Sequence, residues 1–177
     1  LTPQHTLVEG MLRPANLLDL IRNFTLFDHG GDTTTKLVGR YQQFRAVQEA
    51  VGQMKSGSPR TAEDRNDRRG GIIWHTQGSG KSLTMSFLVR KMRRDPKLRS
   101  YKVVVVTDRK ALEKQLRKTA KLTGQPVRTA EDTAHLKELL SQPGEGLVFA
   151  MIQKYQEREE GATFPELNDS KEILVLV

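Results

Sequence analysis

The chain has 177 residues, a formal net charge of +8 and no cysteine. That length suits one domain with a core of its own, and the missing thiols exclude disulfides and thiolate zinc sites. Its four histidines, His5, His29, His75 and His135, lack metal-ligand spacing, and its longest apolar runs, such as Val103 to Val106, are far too short to cross a bilayer.

No secretory leader pattern is visible at the start, so the expectation is a soluble, cytoplasmic protein without membrane contact. Residues 1–13 carry little pattern. From Pro14 onward, Leu17, Leu20, Ile21, Phe24 and Phe27 recur at helical spacing, with proline at a suitable helix start. The run FDHGGDTTTK breaks that helix. A second amphipathic helix follows, with Tyr41, Phe44, Val47, Val51 and Met54 as its apolar stripe. The polar stretch SGSPRTAEDRNDRRGG predicts a surface loop.

Beyond that loop, short β-branched runs alternate with helical ones. Strands are predicted at Gly71 to Trp74, Lys102 to Thr107, around Val127, at Leu147 to Met151 and at Glu172 to Val177. Helices are predicted over 80–94, 109–121 and 131–141. Strands that are apolar on both faces and separated by helices imply an α/β fold: a parallel sheet with helices on both faces. Such sheets bind ligands at the carboxyl ends of their strands.

Charge is unevenly spread. Residues 87–121 hold thirteen Lys and Arg against three acids, while the remainder has sixteen against eighteen. A polyanionic partner and a solvated helix face both account for such a run.

The stretch GIIWHTQGSGKSLTM carries the clearest chemistry. A phosphate-binding loop needs G-x-x-x-x-G-K-[ST]; Gly80-Lys81-Ser82 fits, but His75 stands where the first glycine belongs. A strand leading in and a helix leading out form the setting in which backbone N–H groups surround a phosphate. Gly78 and Gly80 permit positive φ and close approach. Lys81 can reach β- and γ-phosphates, and the Ser82 hydroxyl can ligate Mg²⁺. The bland alternative is a glycine-rich connection with lysine at a helix start.

This loop resembles motif I of superfamily 2 helicases and translocases. In that superfamily a glutamine about thirty residues upstream reads the adenine edge, and in RYQQFRAV the matching position is Gln43. VVVVTDRKALEKQL resembles motif Ia, which implies nucleic acid backbone contacts from Thr107 and Arg109; Asp108 as a helix cap beside a solvated Arg109 is the alternative. LVFAMIQKYQ ends a strand in Gln153-Lys154. Together with WHTQGSGKSLTM and MLRPANLLDLIRNFTLFD, these stretches resemble one family, the motor-and-restriction subunits of type I restriction-modification systems.

That resemblance implies a RecA-like P-loop domain. Its lead-in is a helical segment over 1–37, and 38–177 is the first motor domain, ending before the acidic box that KEILVLV resembles the approach to. It implies ATP and Mg²⁺ as cofactors and Gln43, His75, Thr76, Gln77, Gly78, Ser79, Gly80, Lys81 and Ser82 as the nucleotide site. It implies Lys81 as the catalytic cation and Ser82 as the metal ligand. Thr107, Arg109, Gln153 and Lys154 are the DNA contacts it implies. Double-stranded DNA and modification and specificity subunits are the implied partners, with cleavage by a nuclease domain elsewhere and no turnover expected from this stretch alone. A superfamily 2 motor without nuclease activity, a small-molecule P-loop kinase and a nucleotide-gated binding module remain as other readings.

Overall fold

The computed structural model describes residues 2–30, 32–61, 63–64, 66–108, 110–155 and 165–177. After the short helix α1 (Pro3–Thr6) and a π turn at Leu7–Met11 come helix α2 (Pro14–Asn23) and the strands β1 (Thr25–Asp28) and β2 (Thr35–Val38). Helix α3 (Tyr41–Ser56) precedes the loop, and α4 (Lys81–Arg94) leaves it. Then follow β3 (Lys102–Thr107), α5 (Lys110–Lys121), β4 (Val127–Thr129), α6 (Thr133–Ser141), β5 (Gly146–Met151), a 3₁₀ turn at Ile152–Tyr155 and β6 (Ile173–Leu176).

The four later strands form one sheet in the order β4-β5-β3-β6, parallel throughout. Val103 pairs with Leu147 on one side and Leu174 on the other. Side chains alternate between the two faces, as strand geometry dictates. Val103, Val105, Leu147 and Phe149 join α3 and α4 in the main core, while Val148 and Ala150 meet Leu136 and Leu139 of α6 on the opposite face. Both faces are therefore covered, as the sequence pattern predicts.

Two expectations are corrected. The helix predicted through Phe27 stops at Asn23, and the chain turns into the antiparallel pair β1–β2, with Leu26 opposite Leu37. Burying Phe24 decides this: it lies 4.7 Å from Phe44 and 5.5 Å from Phe87 between ring centroids, at the meeting of α2, α3 and α4. The lead-in of residues 1–37 thus shares its core with the rest of the chain. The second correction is the strand predicted at Gly71 to Trp74. This segment is irregular, with Ile72 92% and Trp74 90% exposed. β-Branched residues make a strand only where a ladder partner is available. Here a groove of about 630 Å³ lies between the segment and Leu174 to Leu176 of β6.

Polar ties fix the helices. Asp19 of α2 accepts from Asn23 at 2.6 Å, and also from Gln48 of α3 and Lys91 of α4. Arg93 donates to the carbonyls of Arg99, Tyr101 and Gly146, and burial pushes its pKa down. The ammonium of Lys102 caps the C-terminus of α6 by donating to Leu139, Leu140 and Gln142 carbonyls. Burial lowers its pKa too. Among the described residues, no helix is long and apolar enough to cross a membrane.

Candidate nucleotide site and the sheet edge beside it

The loop is anchored before it begins. Arg69 donates to the Tyr101 hydroxyl at 2.9 Å and to the Lys171 carbonyl at 2.7 Å, so residue 70 starts at the amino-terminal edge of the sheet. Asp67 braces Arg69 at 2.6 Å, and this partner holds the Asp67 carboxyl down at about 2.

Gly78 and Gly80 both take positive φ, 77° and 83°, where side-chain-bearing residues are strained. Gly80 is the residue before the first turn of α4, which lacks a side-chain cap. The Lys81 and Ser82 amides have no backbone acceptor among the described residues, as the first turn of a helix requires. A Cβ at Gly78 would meet nothing within 4 Å, so that side of the loop is open. Lys81 lies back across the loop, its ammonium 3.2 Å from the Thr76 carbonyl. His75 Nδ1 and Ser79 Oγ are buried and have no hydrogen-bond partner. Buried polar atoms without partners are rare in folded proteins and ask for an explanation such as a ligand. Gln43 is 3% exposed and lies behind the loop, with Nε2 donating to the Ser79 and Gly80 carbonyls at 3.3 and 3.0 Å.

Beside the start of α4 a concavity of about 260 Å³ opens between the hairpin (Asp28, Leu37), the loop (Gly80, Ser82) and α5 (Lys118, Thr119). Nothing in the sequence alone points to it, because it joins three separated segments.

At the carboxyl edge of the sheet, Thr107 pairs in register with Met151. Gln153 joins the two strand ends by donating to the Asp108 carbonyl at 3.2 Å. Thr107 is buried and its hydroxyl has no partner. Lys154 turns toward β4 and donates to the Ala130 carbonyl. The structure thus brings Thr107 and Gln153 together and sets Lys154 one strand over; Arg109 lies outside the described residues.

A parallel α/β sheet with glycine-shaped loop, lysine and serine at the start of α4 defines the class: a RecA-like P-loop domain. The SWI2/SNF2 ATPase family profile matches residues 42–177, and the chain belongs to that family. It is therefore a nucleotide-using domain, and the small-molecule kinase reading falls away. The chain is 39% identical over 177 residues to the type I restriction enzyme HindI endonuclease subunit of Haemophilus influenzae, covering 97% of this chain and 16% of that protein. The putative type I restriction enzyme MjaIXP endonuclease subunit of Methanocaldococcus jannaschii is 32% identical over 170 residues, again 96% of this chain and 16% of the relative. A third relative is the C-terminal part of a putative type I restriction enzyme MpnIIP endonuclease subunit of Mycoplasma pneumoniae. It is 32% identical over 123 residues, which cover 69% of this chain and 57% of the relative. The chain thus spans about one sixth of the length of the first two. The resemblance drawn from the sequence motifs is to this group.

Proposed function

We propose that this chain is the ATP-binding part of a DNA-translocating motor in a type I restriction enzyme. The observation that carries the reading is the loop itself: positive-φ glycines, free first-turn amides and the N-terminus of α4 converge where a polyphosphate is best held. The unpartnered His75 Nδ1 and Ser79 Oγ fit such a ligand. Residues 75–82 hold ATP, with Gln43 acting on the same site. Lys81 offsets the charge of the β- and γ-phosphates, and Ser82 ligates Mg²⁺, which neutralises charge as the terminal phosphoryl group leaves.

Thr107, Arg109, Gln153 and Lys154, with the basic face of α5, track the backbone of double-stranded DNA without reading bases, because a translocase must accept every sequence it passes. Residues 1–37 lead into the motor domain of 38–177 and brace it through Phe24. Cleavage belongs to a nuclease domain outside this stretch, and modification and specificity subunits supply site recognition. That the relatives are endonuclease subunits favours this over a superfamily 2 motor without nuclease activity.

Lys81→Ala in the intact protein tests the assignment. ATP binding and DNA-stimulated hydrolysis are expected to be lost while the unfolding midpoint stays put, since Lys81 is an exposed residue at the start of α4. Wild-type hydrolysis by the variant would refute it.

A further inference from the structure

We infer that the outward side of α2 and the π turn before it form a docking face, covered in the intact protein by another domain of the same polypeptide. The inference rests on reading the chain as one part of a longer motor subunit. It starts from α2, where Leu20 packs on the core while Leu18 and Ile21 face solvent at 67% and 60% exposure. A helix with apolar residues on both sides is one that the folded protein buries on both sides. Leu7, Val8 and Met11 of the π turn and Leu12 after it are exposed as well. The Asn16 side chain donates to the Gly10 carbonyl at 2.7 Å, which holds the π turn beside α2. Single apolar residues scattered over a surface are ordinary, but six within residues 7–21, on two joined segments, mark an interaction face.

α2 cannot close this face by itself, because its other side is fastened. Asp19 accepts from Gln48 of α3 and Lys91 of α4, and Arg90 and Arg94 of α4 hold the Arg22 carbonyl. Rolling the helix inward to bury Leu18 would break these ties and pull Leu20 off the core. The cover must come from elsewhere. Two relatives are matched over 16% of their length, so most of such a polypeptide lies outside the stretch they share with this chain. A domain tethered on the same polypeptide is present at high effective concentration, so a patch six side chains wide can hold it. A separate chain lacks that advantage and needs about 800 Å² on each side for a standard interface. Arg13 and Arg22 flank the patch and are exposed, so the covering surface is apolar with acidic groups at its rim.

The test uses the purified intact protein, with hydroxyl-radical footprinting of its methionines and a benzophenone photo-crosslinker in place of Leu18. With the face covered, Met11 is oxidised as slowly as Met92, which is fully buried, and the protection survives dilution. The probe then cross-links to a residue of the same polypeptide outside this domain. Leu18→Lys combined with Ile21→Lys is expected to abolish the protection of Met11 and leave that of Met92, the mark of a domain that is undocked but folded. Rapid oxidation of Met11 in the wild-type protein would overturn the inference. Protection that fades on dilution, with cross-links between copies, would make the face a dimer contact and overturn it too. Protection that needs a separate subunit would do the same. The motor reading fails separately, if ATP binding by the otherwise native protein is indifferent to Lys81→Ala.

Discussion

Helices α4 and α5 pack against each other and both carry runs of Lys and Arg, yet their cations have different occupations. On α4, Lys91 binds Asp19, Arg90 and Arg94 bind the Arg22 carbonyl at the C-terminus of α2, and Arg93 holds three carbonyls around the base of the sheet. On α5, Lys110, Lys114, Lys118 and Lys121 are exposed, and no described residue accepts a hydrogen bond from them. The difference follows from what lies opposite. α4 is covered by α2 and α3, so its cations meet helix-end carbonyls and a carboxylate. α5 buries Ala120 and half-buries Leu116 on one side and exposes Lys110, Lys114, Lys118 and Lys121 to solvent. A positive stretch that reads as one patch is therefore half fastening and half open surface.

The comparison breaks most visibly at the apolar side of α4. Phe87 is fully buried between Phe24 and the sheet, so Phe87→Ala is expected to cost about 3–5 kcal/mol in urea unfolding. A loss under about 1 kcal/mol would mean that α4 is not the centre of the core. Arg93→Gln comes next. Three carbonyls lose a charged donor, and a loss of about 2 kcal/mol is expected by the same measurement.

Asp67–Arg69 is an intermediate case, an ion pair with a part-exposed acid whose arginine also fastens the loop approach. The Asp67 carboxyl sits below its ordinary 3.8, at about 2, so the pair stabilises fully above about pH 4 and is lost as pH falls toward 2. Asp67→Asn should cost under about 1 kcal/mol near neutrality, because solvent screens the pair. The gap to wild type should close on acidification through that window; a gap independent of pH would contradict it. The smallest effect on stability belongs to α5. Lys114→Gln, Lys118→Gln and Lys121→Gln together should leave the unfolding midpoint within about 0.5 kcal/mol. The salt slope of DNA binding should fall by about one unit per lost phosphate contact. An unchanged slope would make α5 a solvated face.

Much of this was legible beforehand. The apolar runs of β3 and β5 and the glycine-lysine-serine turn into α4 read directly as sheet and loop. The hairpin did not, because Phe24 and Phe27 keep helical spacing and only packing against Phe44 and Phe87 decides otherwise. Ile72 to Trp74 misleads in the opposite direction: residue preference describes a strand, but a strand is a property of two segments. The charge count over 87–121 could not separate α4 from α5, since carbonyl partners leave no trace in composition. Gln43 was picked out by its distance from the loop, while the direction of its amide depends on Arg40 and could be learned only from the backbone.

β3 has a consequence for the order of folding. It is the inner strand between β5 and β6, and its partners come late: Val103 waits for Leu147 and then for Leu174. The cluster of Phe24, Phe44 and Phe87 needs nothing beyond α4. During synthesis the aromatic half can therefore collapse early, while one edge of β3 stays open until the residues of β6 have emerged. Parallel pairings of such separation are slow to form and leave strand edges bare in the meantime. The arrival of β6 is thus the step that covers this edge of β3.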